Sequence, residues 1–458
     1  MATRFDAIVI GTGQSGPPLA AHLASEGHKT AVIERKHYGG TCVNVGCIPT
    51  KALVACAHSA HAARRAGEFG VEIGGPVRID MRRVHARIEG IVKRGRKGVG
   101  DWMKGLENTT VIEGHARFEG PHQVRVGEEE LSAKWIFINT GGRAVVPDIP
   151  GLPEVPYLTN STIMDLDTLP EHLIILGGSY IGLEFAQIYR RFGARVTVIE
   201  MAERLIGKED EDVSDAVREI MQAEGIEVHL SAECLKAART GRGVALEVDC
   251  GGKRPRIEGS HLLLAVGRRP NTDELGLEKA GIKADKKGHI IVDDQCRTNV
   301  EGVWAIGDCN GRGAFTHTSY NDYEIVAANL FENDPRRLSD RITCYALYTD
   351  PPLGRAGVTE KEARAEGKKL LVAKLPMSKV GRAKVRSETQ GFMKVVVDAD
   401  SKQVLGAACL GASGDEVIHN FIELMAAGAP YTVMQRAVHI HPTISEYLPT
   451  MLASLEPV

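Results

Sequence analysis

A strand, a glycine-rich loop, a helix and a second strand ending in an acid follow one another near the start of the chain. The apolar residues 5–10 run into G-T-G-Q-S-G at 11–16, and residues 30–33 precede Glu34. In this pattern the first glycine allows a tight turn, the second lets backbone N–H groups approach a pyrophosphate, and the third lets helix and strand pack closely. The acid accepts hydrogen bonds from a ribose diol. Residues 5–34 are therefore predicted to form a dinucleotide-binding unit.

The same pattern recurs in the middle of the chain. The apolar residues 173–176 precede G-G-S-Y-I-G at 177–182, and Glu200 ends the strand that follows the helix. Ser179 replaces the middle glycine, which a small side chain can do. A second unit implies a second nucleotide, and Glu200 favours NADH over NADPH because it would repel a 2′-phosphate. Arg204 opposes that preference, because an arginine there could reach a 2′-phosphate.

Length and charge limit the class of protein. A chain of 458 residues is too long for one hydrophobic core and predicts about three domains. The formal net charge of -3 gives neither a basic field for nucleic acid nor a polybasic face for a membrane. No signal segment is recognised, and no run of about 18 apolar residues occurs. We therefore expect a cytoplasmic protein with neither nucleic acid nor a membrane as a partner.

Two cysteines, Cys42 and Cys47, lie in G-G-T-C-V-N-V-G-C-I-P-T-K at 39–51. Residues five apart in an ideal helix have Cα atoms roughly 8–9 Å apart, beyond the roughly 7 Å that a disulfide spans. A bonded pair therefore needs a distorted turn, for which Gly46 supplies the backbone freedom. The spacing alone leaves three alternatives open. They are a metal site completed by His439 and His441, two buried thiols, or a disulfide that opens and closes.

A third motif lies far downstream of both nucleotide units. The strand at 303–308 ends in Gly-Asp, and Asp308 could bind the ribityl hydroxyls of a flavin. With this motif the chain resembles the class I pyridine nucleotide-disulfide oxidoreductases. The motifs that carry the resemblance, in the family's order, are GTGQSG, GGTCVNVGCIPTK, GGSYIGLE, AVGRRPN, VWAIGDC and HPTISE.

The resemblance covers essentially the whole chain and implies its architecture. The expected fold class is α/β, with two Rossmann-like nucleotide-binding domains and an α+β C-terminal dimerisation domain. The FAD-binding domain is expected at residues 1–148 and 272–340, and the NAD(P)-binding domain at 149–271. The dimer-interface domain is expected at 341–458.

The resemblance also implies roles for the residues around the cysteines. Cys42 matches the interchange thiol that attacks the substrate, and Cys47 matches the thiol that lies against the flavin. Lys51 matches the lysine near the flavin N5, with Glu184 as its acidic partner.

The same resemblance implies a homodimer. His441 and Glu446 match a His–Glu dyad that reaches the disulfide of the other subunit. Tyr180 resembles the aromatic side chain that covers the flavin until a nicotinamide displaces it. The implied cofactors are FAD and NAD(H), with NADP(H) as the alternative, and no metal cofactor is expected. The positions expected to bind these cofactors are Gly11, Gly13, Gly16, Glu34, Arg35, Gly40, Thr41, Lys51, Gly114, Ala116, Thr140, Gly141, Asp308, Thr316, Gly177, Gly178, Tyr180, Ile181, Glu200 and Gly267.

Two stretches narrow the branch of the family. Residues 316–322 and 348–352 look most like the reactive-chlorine-resistance and mercuric-reductase-like branch. The expected function is transfer of electrons from NADH through FAD to the Cys42–Cys47 disulfide, and on to a small disulfide or a metal ion such as Cu(II) or Hg(II). Dihydrolipoamide dehydrogenase is the alternative within the family, and a non-catalytic flavoprotein redox sensor is the alternative of another class.

Overall fold

A computed structural model describes residues 2–241 and 243–458 of the chain. The strands are β1 (Thr3–Ile10), β2 (Thr30–Glu34), β3 (Thr109–Glu113), β4 (Ala116–Gly120), β5 (Gln123–Val126), β6 (Glu129–Ile138), β7 (Gly142–Ala144), β8 (His172–Leu176), β9 (Arg195–Ile199), β10 (Glu227–His229), β11 (Ala232–Thr240), β12 (Gly243–Cys250), β13 (Arg256–Gly259), β14 (His261–Leu264), β15 (Arg268–Pro270), β16 (Val303–Ala305), β17 (Cys344–Leu347), β18 (Leu353–Gly357), β19 (Leu370–Pro376), β20 (Phe392–Asp398), β21 (Val404–Leu410) and β22 (Glu456–Pro457). The α-helices are α1 (Gly16–Ser25), α2 (Gly40–Val45), α3 (Cys47–Arg65), α4 (Met81–Lys104), α5 (Tyr180–Phe192), α6 (Glu211–Ala223), α7 (Thr316–Ala327), α8 (Glu360–Ala365), α9 (Gly381–Val385), α10 (Gly414–Val417), α11 (His419–Ala426), α12 (Tyr431–Arg436) and α13 (Leu448–Leu452).

The first nucleotide unit lies in a seven-stranded sheet. Its strand order is β3-β2-β1-β6-β5-β4, and β16 pairs with the second half of β6. Strands β1, β2, β3, β6 and β16 are parallel, whereas β5 and β4 continue the sheet in antiparallel pairing. Ile8 and Ile10 pack on one face of the sheet, and Ala7 and Val9 pack on the other. Burial on both faces explains why β1 is a continuous apolar run in the sequence.

The second nucleotide unit has its own parallel sheet, with the order β10-β9-β8-β14. An antiparallel sheet of β11, β12 and β13 lies between β10 and β14 along the chain, and the chain returns to the first sheet at β16. The C-terminal region is one antiparallel sheet with the order β17-β18-β21-β20-β19-β22. The predicted fold class is confirmed, and the domain boundaries stay predictions.

One helical stretch in the described ranges, Gly40–Arg64, could cross a membrane by length and composition alone. It consists of α2 and most of α3, and α3 packs against α4 and α5. Core helices meet the same criterion, so the finding is weak evidence for a membrane span. The absence of membrane and nucleic-acid partners and the cytoplasmic location stay predictions.

Candidate active site

The loop between β1 and α1 forms a close turn around its glycines. Gly11 has a φ of +106°, and a Cβ there would lie 2.3 Å from the Asn139 carbonyl oxygen. Only glycine avoids both the strained backbone and this collision. Glu34, at the end of β2, accepts hydrogen bonds from the Thr12 N–H at 3.0 Å and from the Thr12 hydroxyl at 2.5 Å. The acid at the end of β2 therefore contacts the glycine loop directly.

The starts of α1 and α2 meet at this loop. A Cβ on Gly16 would lie 2.2 Å from the Gly11 carbonyl oxygen, so the third glycine allows the close packing predicted for it. A Cβ on Gly40 would lie 2.8 Å from the Gly13 Cα, so α2 begins against the loop. Thr41, the next residue of α2, is exposed. The two helix starts and the loop backbone thus form a surface on which a diphosphate fits.

Three further predicted cofactor positions lie beside the ends of β2 and β3. The Gly114 N–H donates to the Glu34 carbonyl at 2.9 Å. Ala116 starts β4 and is buried. Arg35 forms an ion pair with Glu274 at 2.9 Å. The structure therefore brings these three positions to the same end of the first sheet.

Asp308 lies in a short 3₁₀ turn directly after β16. Burial raises the pKa of its carboxyl, and the Arg268 Nε lies 3.7 Å from one of its oxygens. Thr140 and Gly141 directly follow β6, and the Asn271 amide donates to the Thr140 carbonyl at 2.9 Å. FAD requires a loop that can hold its diphosphate and a carboxylate that can bind its ribityl hydroxyls. The glycine loop after β1 and the partly buried Asp308 provide these two groups. The residues present therefore fit FAD.

The second glycine loop repeats the arrangement of the first. Glu200 accepts hydrogen bonds from the Gly178 N–H at 2.6 Å and from the Ala202 N–H at 2.8 Å. Like Glu34, it joins the end of a strand to the loop that would hold a nucleotide. Arg204 forms an ion pair with Asp215 at 2.6 Å on α6. The arginine that could recognise a 2′-phosphate is thus held by an acid of the same domain.

The other predicted residues of the second unit lie around this loop. A Cβ on Gly177 would lie 2.4 Å from the Ala265 carbonyl oxygen. Tyr180 and Ile181 form the start of α5. The Gly267 carbonyl accepts a hydrogen bond from Val145 at 3.0 Å.

Cys42 lies on α2 and Cys47 begins α3, with a break between the helices at Gly46. Gly46 has φ -130° and ψ -122°, and a Cβ there would lie 2.8 Å from the Thr41 carbonyl oxygen. The predicted interruption of regular helix geometry is therefore present. Both cysteines are free thiols in the structure, and their side chains are hydrogen-bonded to each other.

The two thiols differ in acidity. Their mutual hydrogen bond, in which Cys42 is the donor, and then burial raise the pKa of Cys42. The same hydrogen bond, with those from the Thr316 hydroxyl and the charge of Lys51, lowers the pKa of Cys47 to about 6. The Cys47 Sγ lies 3.0 Å from the Thr316 Oγ1 at the start of α7. Cys47 is therefore the more acidic thiol of the pair.

Lys51 on α3 and Glu184 on α5 form an ion pair between the two nucleotide units. The Lys51 Nζ lies 2.8 and 2.7 Å from the two carboxylate oxygens, and the Glu184 side chain is 6% exposed. The Tyr348 N–H donates to the same carboxylate at 3.0 Å. The Tyr348 ring also lies 4.4 Å from the Lys51 Nζ. The predicted pair thus exists and is held in place by the C-terminal region.

His441 and Glu446 form the predicted pair on the C-terminal domain. The His441 Nδ1 lies 2.8 Å from a Glu446 carboxylate oxygen, and the histidine side chain is 82% exposed. In the chain that the structure describes, no three His, Cys, Asp or Glu side chains gather as they would around a metal ion. The structure therefore does not join His439 and His441 to the cysteines of the same chain.

Sequence reasoning missed three residues that contact predicted positions. Thr12 holds Glu34, as described above, and Glu209 and Tyr345 lie next to Tyr180. Thr12 occupies a variable position of the glycine motif, and Tyr345 is distant from Tyr180 along the chain. No pattern in the sequence indicates these contacts.

Comparison with known proteins identifies the family. A family model described as pyridine nucleotide-disulphide oxidoreductase matches residues 5–322, and the model of that family's dimerisation domain matches residues 343–452. The chain is 35% identical over 453 residues to the probable pyridine nucleotide-disulfide oxidoreductase RclA of Escherichia coli, covering 97% of this chain and 98% of that protein. It is 34% identical over 448 residues to dihydrolipoyl dehydrogenase of Thermus scotoductus, covering 97% of this chain and 96% of the relative.

A solved structure is similar over the same extent. It is the Cu(II) complex of the HOCl-induced flavoprotein disulfide reductase RclA from Escherichia coli. The TM-score is 0.89 at 34% identity, covering 98% of this chain and 100% of the other. The resemblance inferred from the motifs is confirmed, and the dimerisation domain implies a homodimer. The chain is an enzyme that belongs to the pyridine nucleotide-disulphide oxidoreductase family.

Proposed function

We propose that this oxidoreductase reduces a small disulfide or a metal ion such as Cu(II) or Hg(II) with electrons from NADH. The family implies FAD and a pyridine nucleotide as cofactors. When bound, the flavin would carry two electrons from the nicotinamide to the cysteine pair. The acceptor and the preference for NADH are parts of this proposal.

The observation that carries the proposal is the position of Cys47, whose Sγ lies 3.0 Å from the Oγ1 of Thr316, one of the positions assigned to the flavin. The Thr316 hydroxyl and the charge of Lys51 also help to lower the pKa of Cys47. Cys42 keeps its proton, because its pKa is raised. Cys42 therefore needs a base before it can attack a substrate, since the thiolate is the nucleophile.

His441 supplies such a base in the proposed dimer. Its ring is oriented by Glu446 and exposed on the surface of the dimerisation domain. In a homodimer, His441 of one protomer would face Cys42 of its partner and accept the thiol proton. The resulting thiolate would attack one sulfur of the substrate disulfide, forming a mixed disulfide and releasing the other sulfur as a thiolate, which takes the proton from His441.

Cys47 completes the exchange. Its thiolate would attack the Cys42 sulfur, forming the Cys42–Cys47 disulfide and releasing the second half of the substrate as a thiolate. Two electrons thus pass from the dithiol to the substrate. With a metal-ion substrate, the thiol–thiolate pair would lose two electrons and its one proton, reducing two Cu(II) ions to Cu(I) or one Hg(II) ion to Hg(0).

The preference for NADH rests on Glu200 and Arg204. Glu200 lies at the loop with its carboxylate bound to two N–H groups, where it would accept from a ribose hydroxyl and repel a 2′-phosphate. Arg204 pairs with Asp215 and also with Glu211 at 3.2 Å. An arginine already held by two acids is a weak site for a 2′-phosphate.

The test is a steady-state assay of the FAD-loaded enzyme without oxygen. Oxidation of NADH and of NADPH is followed with glutathione disulfide, lipoamide, Cu(II) and Hg(II) offered in turn. We expect NADH to be favoured and at least one acceptor to be reduced, with the activity lost in Cys42→Ser. Bound FAD without turnover on any acceptor would instead favour a redox sensor. Full activity in Cys42→Ser would rule out the dithiol mechanism.

A further inference from the structure

The side chain of Tyr180 is bound at its phenol end by a residue of its own nucleotide unit. Tyr180 is the first residue of α5, and its hydroxyl lies 3.3 Å from the Glu209 Oε1. Burial, followed by the charge of Glu209, raises the pKa of the Tyr180 phenol. The phenol therefore stays protonated and donates to the carboxylate.

Glu209 binds two further residues, both from the C-terminal region. The Tyr345 hydroxyl donates to the same Oε1 at 2.8 Å, and the Arg355 Nε donates to Oε2 at 2.9 Å. The side chains of Glu209 and Arg355 are 0% and 1% exposed. We call Tyr180, Glu209, Tyr345 and Arg355 the Glu209 cluster. Because the carboxylate is fully buried and paired, its position is fixed.

The backbone ties Glu209 to the second glycine loop. Ile206 has a φ of +42°, which is strained for a β-branched residue. Its N–H donates to the Gly178 carbonyl at 3.0 Å, and the Glu209 N–H donates to the Ile206 carbonyl at 2.9 Å. Any shift of Glu209 would therefore disturb the loop assigned to the second nucleotide.

Aromatic contacts surround the Tyr180 ring on the side of the C-terminal region. The rings of Tyr180 and Tyr345 meet edge to face, with centroids 5.4 Å apart. Phe315, directly before α7, stacks on Tyr345 at 5.3 Å and meets Tyr180 edge to face at 6.2 Å. Tyr180 is thus held at its ring and at its hydroxyl by separate groups.

We propose that the Glu209 cluster sets the affinity for the pyridine nucleotide by restraining Tyr180. This inference rests on the proposed function and on the role that the family resemblance implies for Tyr180, whose ring would move aside when a nicotinamide reaches the flavin. The hydrogen bond to Glu209 opposes that movement. Glu209, Tyr345 and Arg355 are positioning residues, because their side chains act on the nucleotide through Tyr180.

The hydroxyls of Tyr180 and Tyr345 compete for the same oxygen, Glu209 Oε1. Removing one hydroxyl should therefore have the opposite effect on nucleotide affinity from removing the other. Tyr180→Phe keeps the ring and removes its hydrogen bond to Glu209, so the ring moves more easily. Tyr345→Phe leaves the Glu209 Oε1 with Tyr180 as its phenol donor, so Tyr180 is held more firmly. A loss of structure would weaken nucleotide binding in both variants.

The experiment measures binding of NAD⁺ to the oxidised, FAD-loaded protein by calorimetry, independently of turnover. Tyr189→Phe is the matched control, since Tyr189 is a buried tyrosine of the same helix whose hydroxyl donates to the Ile163 carbonyl instead. We expect the Kd to fall about two- to tenfold in Tyr180→Phe, to rise by a similar factor in Tyr345→Phe, and to stay unchanged in Tyr189→Phe. The fluorescence lifetime of the bound flavin, which a neighbouring tyrosine ring shortens, reports the position of Tyr180 in each variant.

The outcomes separate the two proposals. If Tyr180→Phe and Tyr345→Phe bound NAD⁺ with the wild-type Kd, or if both Kd values shifted in the same direction, the role of the Glu209 cluster would be overturned. The proposed function would remain intact. A wild-type protein that binds FAD but is not reduced by NADH or NADPH would overturn the proposed function, and the role of the cluster with it.

Discussion

The two sulfurs of the active site differ in acidity because of their immediate neighbours. Cys42 donates its hydrogen to Cys47, and Cys47 is further stabilised as a thiolate by Thr316 and Lys51. This asymmetry gives each cysteine a separate role without any difference in residue type. It also explains why the proposed mechanism needs a base for Cys42 and none for Cys47.

Replacing Cys42, the hydrogen-bond donor, should raise the pKa of Cys47. In Cys42→Ala the thiolate loses the hydrogen bond that lowers its pKa most, so we expect the pKa to rise from about 6 toward the ordinary thiol value of about 8.5. Cys42→Ser keeps a hydroxyl donor and should shift the pKa less. The rate of alkylation of Cys47 against pH measures this, with Cys47→Ser as the background.

The sign of the pH dependence follows from the lowered pKa. The Cys47 thiolate forms as pH rises through about 6 in the wild type, so alkylation at neutral pH should already be near its maximum. In Cys42→Ala the Cys47 thiolate should form at higher pH, so alkylation of Cys47 at neutral pH should be slow. If the alkylation rate had the same pH midpoint in wild type and in Cys42→Ala, the hydrogen bond from Cys42 would not control the acidity of Cys47.

At the scale of elements, the break between α2 and α3 is what brings the cysteines together. Gly46 has a backbone conformation outside the helical region and no room for a side chain beside Thr41. We expect Gly46→Ala to lower the free energy of unfolding by about 1–3 kcal/mol, because the Cβ would collide with the Thr41 backbone oxygen. Urea denaturation of the FAD-free protein measures the change.

The matched control is a glycine inside a regular helix. Gly98 lies on α4, and a Cβ there would meet nothing within 4 Å. Gly98→Ala should raise the free energy of unfolding by up to about 1 kcal/mol, since alanine favours helix more than glycine does. If Gly46→Ala were as stable as Gly98→Ala, the close approach of Gly46 to Thr41 would not be needed to hold the two cysteines.

The sequence predicted the secondary-structure elements better than the contacts between side chains that are distant along the chain. The strands of both nucleotide units and the acids that end them, Glu34 and Glu200, are visible because buried parallel strands are apolar along their whole length. The break at Gly46 followed from helix geometry and disulfide length. The Glu209 cluster could not be predicted, because its members meet only through the packing of separate domains. The roles assigned to the site residues stay predictions.

At the scale of the whole molecule, the dimerisation domain exposes apolar side chains beside the His441–Glu446 pair. Val438 and Ile440 are 99% and 80% exposed in the single chain. Exposed apolar residues next to a polar pair indicate a surface that a partner covers. The dimer would bury this surface and bring His441 to the second protomer.

Introducing a charge at this surface should separate the protomers. We expect Ile440→Asp to raise the dimer dissociation constant by about tenfold or more, because the carboxylate would be buried without a partner. Sedimentation measures the dissociation constant, and activity should fall as the dimer is lost. Ile291→Asp, at another exposed isoleucine outside the dimerisation domain, is the control and should remain dimeric. A stable Ile440→Asp dimer would place the interface elsewhere.

The central claim is that the Cys42–Cys47 pair exchanges electrons with the bound flavin. An anaerobic reductive titration of the FAD-loaded enzyme tests it most directly, because a disulfide takes up two electrons, as many as the flavin itself. We predict that the oxidised wild type takes up about twice as many electrons per flavin as the Cys42→Ser variant, which has no disulfide at this site. Equal uptake by the two proteins would contradict the account.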